Sequence, residues 1–513
     1  MDLVAPDPSA PPRAGLGTLD EAPWDTTYAA RLSWLGARLN PQPVTAPGPL
    51  FVNDDLATDL GLDPDALRSP HGTANLAGNQ VPNGARPLAQ AYAGHQFGQY
   101  SPQLGDGRAH LLGELRDRHG HRRDVALKGS GRTPFSRGGD GRAAVGPMLR
   151  EVLVGEALHA LGIPTTRALA VVATGETVQR DTPLPGAVLT RVAASHLRVG
   201  TAQYVRDRAS VERQASFAAY VRERHHPHVA DGDHLGLLAA VVSAQARLLA
   251  DWMALGFVHG VMNTDNMALS GESIDFGPCA FLEAHDPQAV FSSIDTAGRY
   301  RFGAQPSIAQ WNLARYAETL LPLQVPDAAD ETVVGEVIEA ATQVLRGFEG
   351  EYHAAYLARM RAKTGLTHAA ETDPARDEAL IADLLDLMTA DRLDHTRTFR
   401  LLARVLRGET DRVRMLVTDS AGWDRWQQRW LAAFGGADVA AVADAMDRVN
   451  PAYIPRNHLV EEALAAATEG DLAPFEELLS AVRDPFIERP GRERYAAPAP
   501  EGFTEGYLTY CGT

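Results

Sequence analysis

Lysine is nearly missing from this chain. Of 48 basic residues only two are lysines, Lys128 and Lys363, and the rest are arginines. Cysteine is as scarce, with two in 513 residues, which excludes a disulfide scaffold and a cysteine-rich zinc site. No run of about 18 apolar residues is present, so no transmembrane helix is expected. The start carries Asp2, Asp7 and several prolines without an apolar stretch. We therefore expect neither a signal peptide nor an acid-poor transit peptide, and take the cytosol as the compartment. Positive charge is in deficit, 48 − 65 = −17, which argues against non-specific nucleic-acid binding because a polyanion needs a basic face. Apolar content of 45% and charged content of 22% fit a globular protein of roughly two to four packed units, or one elaborated catalytic core.

What is there is distributed unevenly. Residues 105–150 hold ten Lys+Arg against five Asp+Glu, a local excess that suits a compact anionic ligand such as a nucleotide. Lys128 closes the apolar run Val125-Ala126-Leu127-Lys128. The bland alternative is a lysine snorkelling from a strand edge. The functional one is a compact ammonium placed between phosphate oxygens and a carboxylate, where a planar guanidinium does not fit. Residues 109–115 and 124–128 flank a polar turn and predict a hairpin. A Gly/Arg loop, 129–146, follows. Pro147 then opens a helix whose apolar face holds Met148, Leu149, Val152, Leu153, Leu158 and Leu161, and Gly162 with Pro164 ends it. From about Arg191 the pattern is mostly helical. His234–Leu255 is the longest apolar helix, more helices run from 307 to 482, and the tail 485–513 is expected to be extended, as is an irregular arm over 1–25. There are no internal repeats.

The polar signals fall in a telling order. Gly105-Asp106-Gly107-Arg108 comes first, then Lys128, then Glu151 on a helix, then His259-Gly260-Val261-Met262-Asn263-Thr264-Asp265-Asn266, then Ser273-Ile274-Asp275-Phe276-Gly277. That is the order of a kinase: glycine loop, strand lysine, helix glutamate, catalytic loop, Asp-Phe-Gly. Taken singly each is weak, since Gly-Asp-Gly-Arg and Asp-Phe-Gly are common turns and a helix Glu is commonly solvated. The ordered set, with nine residues from Asn266 to Asp275, is specific. Glycines admit backbone N–H groups close to phosphates. Lys128 neutralises phosphate charge and Glu151 holds it in place. Asn266 and Asp275 supply hard oxygen ligands for Mg²⁺ or Mn²⁺. One departure stands out. The aspartate that helps the attacking hydroxyl in phosphotransferases is replaced by Val261, and the nearby carboxylate is Asp265. The chain is then either an inactive pseudokinase or carries rearranged chemistry.

Several longer stretches resemble the selenoprotein O family (SelO): Ala93-Gly94-His95-Gln96-Phe97-Gly98, residues 102–108, 128–137 and 260–267, and Asn450-Pro451-Ala452-Tyr453-Ile454-Pro455-Arg456-Asn457. The resemblance covers the chain from about residue 90 onward. It implies an α+β, two-lobed protein-kinase-like fold with a β-rich N-lobe, a helical C-lobe and N- and C-terminal extensions. We place the divisions at 1–90 (arm and extension), 91–190 (N-lobe), 191–420 (C-lobe with catalytic loop and Asp-Phe-Gly) and 421–513 (helices and tail). It implies a protein adenylyltransferase that binds ATP in a flipped pose and moves AMP to Ser, Thr or Tyr hydroxyls of proteins. Nucleotide contacts would come from Gly105, Gly107, Arg108, Lys128, Asp140, Gly141, Glu151, Arg191, Arg198 and Asp275. Asn266 and Asp275 would hold Mg²⁺ or Mn²⁺, and Asp265 would be the base. Partners would be hydroxyl-bearing proteins, with no nucleic acid or membrane. The rivals are a phosphotransferase and a non-catalytic pseudokinase scaffold. The resemblance also suggests a reversible, redox-sensitive Cys279–Cys511 disulfide, against the alternative of two unrelated thiols.

Other residues have plainer readings. His225-His226-Pro227-His228 reads as a solvated polar loop rather than a metal site. Trp423, Trp426 and Trp430 lie at helical spacing and read as core. No chemistry follows from Gly94-His95-Gln96.

Overall fold

The computed structural model describes residues 16–325 and 330–510. Its first part is built on strands β1 (Gly36–Arg38), β2 (Gly48–Val52), β3 (Leu88–Gln90), β4 (Gly94–Gln96), β5 (Gln99–Ser101), β6 (Ala109–Arg116), β7 (Arg122–Lys128), β8 (Ala143–Ala144), β9 (Arg167–Gln179) and β10 (Pro183–Ala193). Eight of them form one antiparallel sheet in the order β1-β3-β6-β7-β10-β9-β2, with β8 paired to β10, while β4 and β5 form a separate hairpin. The β6–β7 hairpin forms as its sequence predicts. Lys128 sits mid-sheet, opposite Ala109 on β6 and Leu189 on β10.

Strand alternation decides which side chains reach the site. Val125 and Leu127 point into a layer shared with Leu56, Leu67 and Leu76 of the N-terminal helices. Ala126 and Lys128 point the other way. Residues before 91 thus supply both three strands and the cover of one sheet face. The other face carries the helix Val145–Ala160, which begins two residues before Pro147. It is buried nearly all round because the helices Asn457–Thr468 and Ala473–Val482 cover its back. Leu149, Val152, Leu153 and Leu158 are fully buried, each contributing about 1.5–3 kcal/mol by leaving water.

The second part is helical. Asp233 caps His234–Leu255 by accepting from the Gly236 N–H at 2.7 Å, and Gly256, at φ +80°, ends it. By length and composition this helix could cross a membrane, but it lies against Gln305–Leu320 and Glu331–Lys363, with 61% of its apolar window buried. After it come two short antiparallel strands, β11 (Phe257–Val258) and β12 (Ala280–Phe281). They pin the ends of the segment 259–279, which holds the loop chemistry. The predicted tryptophan packing is present: Trp423, Trp426 and Trp430 are buried, with successive ring centres 4.9 and 5.3 Å apart.

Two expectations hold only in part. In the histidine run 225–228, Pro227 and His228 are exposed in a turn as expected, but His225 and His226 are packed. His225 closes the helix Val211–His225 with a 2.7 Å hydrogen bond to Ser195, and His226 is buried, because helix packing rather than polarity sets this segment's environment. The tail is also not simply extended. It makes a short helix, Glu493–Ala496, and turns over 501–506, and becomes strand-like only at Thr509.

Candidate active site

A cleft of about 600 Å³ opens between the sheet and the segment 259–279. All the residues expected to touch nucleotide or metal line it: Gly105, Gly107, Arg108, Lys128, Asp140, Gly141, Glu151, Arg191, Arg198, Asp265, Asn266 and Asp275. Their spread over the sequence is closed by topology. Arg108 just before β6, Lys128 at the end of β7 and Arg191 on β10, opposite Ala126, come to one region of the sheet, the Val145–Ala160 helix carries Glu151 to it, and the β11–β12 pair brings up the two loop carboxylates.

At the centre, Lys128 Nζ donates to Glu151 Oε1 at 2.5 Å and to Asp275 Oδ1 at 2.9 Å. Arg191 Nη1 donates to the same Asp275 oxygen at 2.6 Å and stands 3.7 Å from Glu151 Oε2. Arg198 Nη1 lies 3.3 Å from Asp275 Oδ2 and donates to the Asp265 carbonyl at 2.9 Å. Burial alone would raise the Asp275 carboxyl, but Lys128, Arg191 and Arg198 outweigh it and hold it well below the usual range. Glu151 is the second carboxylate among these three cations. Asp275 takes a left-handed backbone, φ +64°, uncommon outside glycine, which aims its side chain into the cleft.

Asp265 has a different setting. Burial pushes its carboxyl up to about 6, although Gln96 and Arg198 pull the other way. Gln96 Nε2 donates to Oδ2 at 3.1 Å, and Oδ1 has no protein partner. Val261 is buried in the apolar core, and its carbonyl accepts from Asn266 Nδ2 at 2.9 Å. With its nitrogen held there, Asn266 keeps its amide oxygen for another partner. Among the described residues no three His, Cys, Asp or Glu side chains converge on a metal position. Two oxygen donors, Asn266 and Asp275, nonetheless fit a Mg²⁺-like ion that completes its shell with phosphates and water.

Sequence reading missed the supports. The Gly94-His95-Gln96 motif forms the β4–β5 hairpin that braces the Asp265 loop. His95 N donates to Thr264 Oγ1 at 2.7 Å and Phe97 N to Asn263 Oδ1 at 3.0 Å. Gly94 is glycine because a Cβ would lie 2.6 Å from Asp265 Oδ1. Gly105 has a similar reason, since a Cβ there would strike the Phe135 ring at 2.4 Å, so packing as well as phosphate access demands it. Arg191 Nε donates to His196 Nε2 at 3.2 Å, and His196 is backed by Asp124 at 3.1 Å. Arg198 stacks 4.6 Å over the Tyr92 ring. No spacing rule finds His196 or Tyr92, because Asp124, which holds His196, and Arg198, which covers Tyr92, come from distant segments. The late motif acts through Asn457, which accepts from Phe281 N and donates to Phe281 O, holding β12.

Cys279 is fully buried behind the cleft. Burial pushes its thiol up to about 12, and it donates to Phe276 O at 3.1 Å. Cys511 lies outside the described residues. The tail does come close to Cys279, since Thr509 Oγ1 donates to the Pro278 carbonyl at 2.6 Å.

A partly buried lysine and two buried arginines gathered on one carboxylate, beside a second carboxylate, suit an anionic ligand. Comparisons with known proteins say to which class the chain belongs. Residues 28–483 match the family described as protein adenylyltransferase SelO. A protein nucleotidyltransferase YdiU of Mycobacterium sp. (strain KMS) is 56% identical over 491 residues, covering 95% of this chain and 99% of that protein. The protein of the same name from Mycolicibacterium paratuberculosis is 57% identical over 470 residues, covering 90% and 93%. The one from Chromobacterium violaceum is 54% identical over 485 residues, covering 93% and 99%. The chain is therefore a nucleotidyltransferase. It belongs to the SelO family of protein adenylyltransferases.

Proposed function

We propose that this protein transfers AMP from ATP to Ser, Thr or Tyr hydroxyls of protein substrates, in a kinase-like two-lobed frame with ATP inverted. The observation that carries the reading is the pairing of a cation cluster on Asp275 with Asp265, in a loop where Val261 replaces the usual kinase base. Arg191 and Arg198 are almost fully buried at the inner end of the cleft. They form a clamp for a terminal phosphate, and guanidinium pairs bind such groups strongly. An inverted triphosphate with its γ-phosphate there turns its α-phosphorus toward Asp265.

The reaction forms a bond between the substrate oxygen and the α-phosphorus and breaks the bridging bond to the β-phosphate. Pyrophosphate leaves, and the hydroxyl proton passes to the Asp265 carboxylate. A carboxyl near 6 is basic enough to take that proton yet ionised at neutral pH. Lys128, held by Glu151, sits on the phosphate side. Asn266 and Asp275 would hold a Mg²⁺ or Mn²⁺ ion, which would neutralise charge on the phosphates.

The test uses ATP labelled separately at the α and γ positions, with intact-mass measurement of acceptor proteins. Label from α with a gain of one AMP is expected. Label from γ would make the protein a kinase, and no label a scaffold.

A further inference from the structure

The cleft has a second wall that the nucleotide does not need. Ser293 and Ile294 line its mouth, and so does Tyr510 from the chain's own tail. The tail reaches there through an isolated β-bridge. Thr509 N donates to Phe291 O at 2.7 Å, and Ser293 N donates to Thr509 O at 2.9 Å, the pattern of a parallel bridge around Ser292. Successive side chains of this extended segment face opposite ways. Thr509 is buried, with its hydroxyl on Pro278 O, whereas Tyr510 is 70% exposed at the cleft mouth. Upstream, Tyr507 stacks on Phe503 and donates to Glu461 Oε1 at 2.8 Å, which anchors the segment at its N-terminal side.

We propose that the edge 291–293 is the docking strand for protein substrates, and that the tail occupies it as an intramolecular stand-in. The occupant is an extended, hydroxyl-bearing segment of the substrate. Its backbone repeats the two hydrogen bonds of Thr509, and its next residue takes the place of Tyr510, facing the nucleotide. Strand addition of this kind draws affinity from main-chain bonds and tolerates varied sequences. This deepens the proposed transfer reaction and rests on it for the role of the docked hydroxyl. The docking itself is tested without ATP.

The variant Thr509→Pro removes the N–H that bonds Phe291 O, in the full chain. Thr509→Ala removes only the hydroxyl on Pro278 O and serves if the proline variant fails to fold. The probe is a fluorescent peptide with the sequence of residues 503–510. In wild type it competes with a tethered tail at an effective concentration on the order of millimolar. We expect about tenfold tighter binding to Thr509→Pro than to wild type, with Thr509→Ala between them. Hydrogen exchange at the Ser293 amide should quicken in Thr509→Pro and slow again when peptide is added. Equal binding to all three proteins, absent binding, or displacement of the peptide by ATP alone would overturn the proposal. A protein that binds the peptide yet transfers no AMP would instead count against the reaction.

Discussion

The two lysines of this chain, one largely and one fully buried, have opposite surroundings. Lys128 has a side chain 11% exposed and two carboxylates in hydrogen-bond range, Glu151 and Asp275. Lys363 ends the helix Glu331–Lys363 and has no carboxylate partner among the described residues. Its ammonium lies 4.4 Å from the centre of the Phe399 ring, and burial pulls it down to about 7. One amine is kept charged by anions in a cleft. The other can shed its proton in a core. Burial of a rare residue therefore does not locate function; the charge placed around it does.

The comparison breaks most severely at Asp275. Asp275→Ala removes the anion shared by Lys128, Arg191 and Arg198 and one metal ligand, and should lower transfer by at least about 10³-fold, with Lys128→Ala close behind. Near-normal AMP incorporation in either variant would misplace the site. Asp265→Asn keeps the shape and loses the proton acceptor, so kcat should fall by about 10²–10⁴-fold while ATP binding by calorimetry stays unchanged.

Lys128→Arg sharpens the point about charge type. A planar fork cannot sit between Glu151 and Asp275 as a point charge does, and a displacement of this size costs about 10²-fold. Turnover at the wild-type rate would refute that. The clamp is probed more gently. Arg191→Ala and Arg198→Ala should each weaken ATP by about tenfold more than AMP, as read by calorimetry. Equal losses for the two nucleotides would place both arginines away from the terminal phosphate.

Lys363 should show no effect on turnover and a pH-dependent effect on stability. Below about pH 7 it is protonated in both states, and above about 10.5 it is neutral in both. Between them the unfolded chain binds the extra proton, so this group's contribution to stability rises with pH across that window. Lys363→Met removes the cost of burying the charge. Its gain over wild type should be largest near pH 6, on the order of a few kcal/mol, and shrink toward pH 10. A melting-temperature difference that is flat with pH would contradict the burial argument.

Much of this was legible in the chain itself, for local reasons. The β6–β7 hairpin follows from alternation around a polar turn, and the helix His234–Leu255 from its long apolar pattern. The order of Lys128, Glu151, Asp265, Asn266 and Asp275 named the candidate site because each position needs a particular functional group. In the histidine run 225–228 the solvated reading holds for Pro227 and His228 but not for His225 and His226, because polarity predicts solvent contact only when nothing packs over it. Gln96 and Tyr92 carried no signal, since each acts on a residue brought from a distant segment, and His196, though only five residues from Arg191, is oriented by Asp124 of a neighbouring strand.

Sequence by itself determined the chemical inventory: a lone strand lysine, a catalytic loop with Val261 in place of a base, and two oxygen ligands nine residues apart. Those are properties of residue type and spacing, which no packing can alter. Only the tertiary structure decided how they are charged and aimed. The convergence of three cations on Asp275, the rise of Asp265 to about 6 and the tail segment beside Ser293 all depend on desolvation and on contacts between segments far apart in the chain. Electrostatic energies vary with distance and burial, and neither exists until the chain has folded.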